Sequence, residues 1–170
     1  MCLRCAPTRP VESRPVESNR EGRPVMRLQL ALNVDDLEKA IDFYSKLFDT
    51  SVNKRKPGYA NFTLESPPLK LVLFENPGAS ERLNHLGVEV FEAEDVSRAT
   101  ERLKAAGLAE QVEDASTCCY ATQDKVWSSD PQGLRWEWYR VLEDSETFGK
   151  PSEIPESKQQ GPAPTGGCCA

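Results

Sequence analysis

At 170 residues with a formal net charge of −6 and a pI near 5.0, the chain is sized for one domain or two small modules. Its charge has the wrong sign for a nucleic-acid surface or an anionic membrane as partner. No apolar run approaches the ~18 residues that span a bilayer, and the opening MCLRCAPTRP lacks an apolar stretch after its charges, so neither a membrane span nor a secretory signal is expected. In chain order, residues 1–25 carry a direct repeat, RPVES-RPVES, and little that could be buried, which predicts a disordered N-terminal extension. Met26 opens the first convincing strand and is read as a possible natural start. RLQLALNV alternates with period 2 and predicts a strand. Asp35, with Glu38 three residues on, predicts a capping box. Leu37, Ile41, Tyr44, Leu47 and Phe48 then recur at helical spacing. Strands follow near 50–55, 58–65 and 69–75, separated by Pro-Gly and Pro-Pro. The order then repeats: a strand at NHLGVEVF, a helix over EDVSRATERLKAAG ended by Gly107, and strands near 108–113, 119–128 and 134–141. The tail from 143 to 170 is rich in Pro, Gly, Ser and Gln, predicts disorder and ends in GGCCA.

The expected architecture is therefore α+β, with one domain over 26–142 built from two βαβββ modules, about 26–76 and 83–142. Together they form an open barrel-like cup that can bind a metal. One chain completes the cup, so a monomer is expected. The cytoplasm is the expected compartment, where thiols stay reduced. The six cysteines (Cys2, Cys5, Cys118, Cys119, Cys168 and Cys169) are accordingly read as free thiols or ligands.

Three polar residues break the apolar parity of the strands that would meet at the cup. Aligning the first strands of the two modules matches Gln29 with His85. Leu28, Leu30 and Leu32 share one face, with Gln29, Ala31 and Asn33 on the other. Leu86, Val88 and Val90 likewise oppose His85, Gly87 and Glu89. In LRWEWYRV, Glu137 sits between Trp136 and Trp138 and opposes the large apolar residues. Each of these alone is an ordinary polar strand residue. Their shared parity and the matched repeat position argue for a joint site. His85 is the only histidine, which excludes sites with two or three imidazoles. An imidazole, a carboxylate and an amide oxygen make a three-donor facial set with open positions, like the iron(II) oxygenase arrangement with glutamine replacing one histidine.

The stretch STCCYA places Cys118 and Cys119 side by side. Neighbouring Cα atoms are about 3.8 Å apart and an unstrained disulfide wants roughly 4.4 Å or more. Two buried apolar residues, a soft-metal clamp and a redox switch remain as readings. Neighbouring strand side chains diverge, so a clamp needs a turn or bulge there.

The stretches RLQLALNVDDLEKAIDFYSKLF, KPGYANF, PPLKLVLFENPG, LNHLGVEV and TCCYATQDKVW, followed by WEWY, resemble the organoarsenical carbon–arsenic lyases and the related cadmium-induced proteins. These belong to the vicinal oxygen chelate superfamily of glyoxalases, bleomycin-resistance proteins and dioxygenases. The resemblance covers about 26–141. It implies a non-haem Fe(II)- and O2-dependent enzyme that cleaves the carbon–arsenic bond of trivalent organoarsenicals, such as methylarsonous acid, to arsenite. It further implies that Gln29, His85 and Glu137 hold the metal and that Cys118 and Cys119 hold the arsenic. Cys168 and Cys169 fit a family habit of cysteine-bearing tails and are candidate accessory arsenic ligands. Tyr120 and Lys125 are nearby candidates for polar roles, and no general base is identified. Rival readings are a non-catalytic thiol protein that sequesters cadmium or arsenite, and a glyoxalase- or extradiol-dioxygenase-type enzyme with another substrate.

Overall fold

The computed structural model describes residues 26–149. The expectations for 1–25 and 150–170, including Cys2, Cys5, Cys168 and Cys169, lie outside the described residues. Strand β1 (Met26–Val34) turns Leu30, Leu32 and Val34 toward helix α1 (Leu37–Phe48) and buries Gln29, Ala31 and Asn33 on its other face. The core between helix and sheet gathers Leu37, Ala60, Phe62, Leu71 and Leu73 against Ile41, Tyr44 and Phe48. Fully burying each large apolar side chain contributes about 1.5–3 kcal/mol.

The helix start differs from the expected capping box. Asp36 is the cap: its backbone is extended (φ −145°) and its carboxylate accepts from Lys39 N at 3.0 Å, satisfying one of the helix's unpaired amides. Asp35 lies one residue too far out. It accepts from Gly78 N at 3.1 Å and pairs with Arg82 at 2.6 Å. Glu38 reaches outward to Arg55 rather than back to the cap. Leu47, expected on the buried stripe, is 58% exposed, because the core ends at Tyr44 and Phe48.

The remaining elements are β2 (Lys54–Lys56), β3 (Tyr59–Glu65), β4 (Pro68–Glu75), β5 (Leu83–Val90), α2 (Ala93–Ala105), β6 (Gln111–Cys118), β7 (Ala121–Ser129) and β8 (Arg135–Asp144). One eight-stranded sheet runs β2-β3-β4-β1-β5-β8-β7-β6. Within each module the first and last strands are parallel, β1 beside β4 and β5 beside β8. The modules join through antiparallel β1 and β5. The expected α+β fold of two βαβββ modules is therefore present as a curled sheet with two helices outside it. Helix α2 buries Val96 and Ala99, lays Arg102 4.8 Å over the Trp138 ring, and is followed by Gly107 in the left-handed region at φ +69°.

The last three strands are displaced from their expected bounds. The polar stretch EDAST, which bridges the strands expected near 108–113 and 119–128, belongs to β6, which is kinked at Ala115 (φ 47°), where the register with β7 shifts. The last strand also outruns its expected end near 141. β8 continues to Asp144, and residues 145–149 cross back to bridge Gly149 to Cys118. Polar composition hid this, because the segment is held by backbone bonds and one aromatic, Phe148, rather than by an apolar pattern.

Candidate active site

The register shows how the strands assemble a polar cluster inside the cup. Gln29 lies opposite Gly87, and His85 lies opposite Ala31. Shifting either pair by one repeat turns it into the other, so each polar side chain faces a small residue from the partner module. Gly87 in turn neighbours Glu137 on β8. A Cβ on Gly87 would stand 3.0 Å from Glu137 Cγ and 3.2 Å from Gln29 Nε2. The glycine thus clears the volume into which the three side chains converge.

Gln29, His85 and Glu137 are all buried. Gln29 Nε2 donates to Glu137 Oε1 at 2.6 Å and lies 3.0 Å from His85 Nε2, and His85 Nε2 is 3.3 Å from Glu137 Oε1. Burial alone would raise the Glu137 carboxyl. His85, Lys125 and Gln29 outweigh it and hold the group down to about 2, so it is a carboxylate. The donor chemistry suits a cation. Tyr139 Oη donates to Gln29 Oε1 at 2.5 Å. Turning the amide over presents Oε1 to a metal and Nε2 to Tyr139 Oη, which accepts as readily as it donates. Imidazole, carboxylate and amide oxygen together fit a first-row divalent ion such as Fe(II). The fourth direction is apolar. The registers Ala31 with Val72 and Gly87 with Glu137 make Val72 the repeat counterpart of Glu137.

The cup encloses a cavity of about 750 Å³ that Gln29, His85 and Glu137 share with Cys118, Cys119 and Lys125. The turn expected at the cysteines exists. Cys118 closes β6, and Cys119 and Tyr120 occupy a two-residue hairpin with φ of 57° and 61°. This left-handed pair matches a type I′ turn and draws the two sulfurs to 2.9 Å. Residues 145–149 brace it: Phe148 O accepts from Cys119 N at 2.6 Å, Tyr120 O accepts from Ser145 N at 2.9 Å, and the Phe148 ring meets those of Tyr120 and Phe74. The Cys118 thiol is lowered below its ordinary value, chiefly by its hydrogen bond with Cys119, with Lys125 adding to the effect against burial. Cys119 is pushed up by the same bond and by burial.

Lys125 was legible only as a polar residue near the cysteines. It is 1% exposed, with Nζ 3.7 Å from Glu137 Oε2 and 4.0 Å from Glu113 Oε2, so its cation lies between the thiols and the carboxylate. Burial disfavours its charge, but Glu137, Cys118 and Glu113 more than restore it. The signal was its parity with Ala121, Gln123 and Trp127, all buried on the cup face of β7. Tyr120 packs instead: its ring lies tilted against that of Tyr59, centroids 5.6 Å apart, and its hydroxyl donates to Pro57 O at 3.1 Å. Phe148 was missed because it lies beyond the last periodic strand.

Residues 27–138 match the family described as Glyoxalase/Bleomycin resistance protein/Dioxygenase superfamily. The chain is 63% identical over 123 residues to the cadmium-induced protein CadI of Mycobacterium tuberculosis, covering 72% of this chain and 81% of CadI. It is 49% identical over 149 residues to the trivalent organoarsenical cleaving enzyme of Thermomonospora curvata, covering 84% and 99% of the two chains. Among solved structures, homoprotocatechuate 2,3-dioxygenase from Arthrobacter globiformis superposes with a TM-score of 0.53 at 21% identity, over 73% of this chain and 38% of that one. That likeness is one of fold.

Proposed function

The chain belongs to the Glyoxalase/Bleomycin resistance protein/Dioxygenase superfamily and, within it, to the family of the cadmium-induced and trivalent organoarsenical cleaving proteins; from that premise we propose that it is a carbon–arsenic lyase dependent on Fe(II) and O2. Its substrate would be a trivalent organoarsenical such as methylarsonous acid, its product arsenite, and its place of action the cytoplasm, as a monomer. The observation that carries the reading is a vicinal pair of thiols, sulfurs 2.9 Å apart, opening on the same cavity as the imidazole, carboxylate and amide set. A hydrolase or a plain glyoxalase has no use for the pair, whereas soft trivalent arsenic prefers thiolates.

In this reading Cys118, the more acidic thiol, attacks arsenic first and displaces one hydroxyl. Cys119 follows with the second. The two thiol protons leave with the two hydroxyls as water, so methylarsonous acid becomes a dithiolate with the arsenic–carbon bond intact. The I′ turn makes this a ring closure rather than two separate captures, because both sulfurs already face one point. Lys125 offsets charge on Cys118 and on Glu137 at once. The aromatic rings of Phe74, Trp127 and Phe148 wall the cavity and keep water from the bound organic group. Gln29, His85 and Glu137 would hold the iron, which when bound supplies the redox chemistry that lets O2 attack the carbon–arsenic bond.

The test is to load the protein with iron(II) without oxygen, add methylarsonous acid, then admit air and measure arsenite. Release that needs both iron and oxygen is expected. Capture of the arsenical with no arsenite formed would favour a sequestering thiol protein instead.

A further inference from the structure

At the mouth of the cup, β5 departs from regular pairing. Ala31 faces His85 but Leu32 faces Leu83, so Asn84 is an extra residue in a bulge. Bulges re-aim side chains. Here the bulge carries Asn84, although adjacent to His85 and on an exposed position, to the same side as the imidazole. His85 Nδ1 lies 2.7 Å from Asn84 Oδ1, and Asn84 Nδ2 donates to Asn33 Oδ1 at 2.9 Å. Asn33 is buried, and its Nδ2 donates to the Glu81 carbonyl at 2.9 Å, while its backbone N donates to Arg82 O at 2.8 Å.

The orientation of an amide side chain is settled only by partners whose roles are fixed. One such partner stands at the end of this row. The Glu81 carbonyl can only accept, so Asn33 must present its amino group there and its oxygen to Asn84. Asn84 must then present its amino group to Asn33, which leaves its oxygen for His85. An oxygen at 2.7 Å requires a proton on Nδ1. At its other nitrogen, Gln29 Nε2 donates to the Glu137 carboxylate at 2.6 Å and stands 3.0 Å from His85 Nε2, which is itself 3.3 Å from Glu137 Oε1; with Nδ1 protonated, the second Gln29 amide proton is the donor for that Nε2 lone pair.

From this row we infer that Asn84, oriented by Asn33 and the Glu81 carbonyl, is a positioning residue that holds His85 as the Nδ1–H tautomer with the Nε2 lone pair aimed at Gln29 and Glu137. The inference rests on the proposed metal site for its purpose, not for its geometry. A neutral imidazole released from this acceptor favours the opposite tautomer, whose protonated Nε2 cannot bind a cation. Hydrogen-bonded partners of ligating histidines fix tautomer and ring orientation, and removing them typically weakens metal affinity 10–100-fold.

His85 is the only histidine in the chain, so its ring nitrogens can be read without assignment. The experiment is 15N NMR of imidazole-labelled, metal-free protein under mildly alkaline conditions, followed by cobalt(II) titration, on the wild type, Asn84→Leu and Asn84→Asp. Wild type is expected as Nδ1–H alone. Asn84→Asp, which keeps an acceptor, is expected to retain that tautomer, and Asn84→Leu to shift toward Nε2–H with cobalt affinity lower by about 10–100-fold. A protonated Nε2 in the wild type, or an unchanged tautomer in Asn84→Leu, would overturn the relay. A tautomer shift with unchanged cobalt affinity would overturn its positioning role. Wild-type protein that shows the tautomer but takes up no cobalt overturns the metal-site reading and, with it, the role given to Asn84.

Discussion

Small residues shape the candidate site as much as the polar ones do. Gly87 is in extended backbone and needs no unusual φ; its value is the missing Cβ between Gln29 and Glu137. In Gly87→Ala both side chains must shift by a few tenths of an ångström, in a buried cluster that has little slack. We predict that the fold persists while arsenite release falls on the order of 10²-fold, the scale of a misplaced reacting group. Wild-type turnover by this variant would show that the cluster does not need its present packing. The thiols make a second prediction. With its thiol held below the ordinary value, Cys118 is a thiolate to lower pH than a free cysteine. Its alkylation rate by iodoacetamide should stay high as pH falls through the usual thiol range. Lys125→Met removes the cation and should move that profile upward. Cys118→Ser and Cys119→Ser should each abolish arsenite release, because a hydroxyl oxygen is a hard, largely protonated donor, while leaving cobalt uptake at wild-type levels. Lost cobalt binding in either would mean the thiols belong to the metal site.

At the scale of elements, the hairpin joining β6 to β7 is the unit that turns two adjacent cysteines into a pincer. Non-glycine residues at φ 57° and 61° are strained, and the strap at 145–149 supplies the bonds that hold them. Gly149 is the pin of that strap. Its φ is +73°, and a Cβ there would stand 1.9 Å from Thr117 O. Gly149→Ala should therefore lift the strap, breaking the bond from Cys119 N to Phe148 O and the ring contacts of Phe148. The loss is worth roughly 1–2 kcal/mol. Hydrogen exchange at the Cys119 amide should accelerate, and Cys119 should alkylate faster. Unchanged exchange would show that the turn holds its shape unaided. The same level explains the misplaced strand bounds: beyond the kink, Ser116, Thr117 and Cys118 pair with β7 through backbone bonds that the polar stretch does not advertise.

For the whole molecule, the two modules are copies in topology but not in chemistry. The repeat makes Val72 the counterpart of Glu137, so one quadrant of the donor set is apolar and stays open to O2 and substrate in the proposed reaction. Val72→Glu should fill it. Without metal the buried carboxylate should destabilise the fold by several kcal/mol. Cobalt(II) should raise Tm more than in the wild type, and arsenite release should be lost. A cobalt-induced Tm rise no larger than wild type would place Val72 away from the metal. Much of this was readable from residues alone. Period-2 strands, period-3.6 helices and Gly107 determined the two βαβββ modules, and strand parity alone put Gln29, His85 and Glu137 on one face, because side-chain direction in a strand follows from counting. The tertiary structure decided what counting cannot. Which strands neighbour one another, and in what register, brought Gly87 between Gln29 and Glu137, placed Lys125 beside the thiols, and set the bulge that turns Asn84 to His85. Those are contacts between residues as much as 108 positions apart, and they arise from burial of the whole sheet rather than from any local preference of the chain.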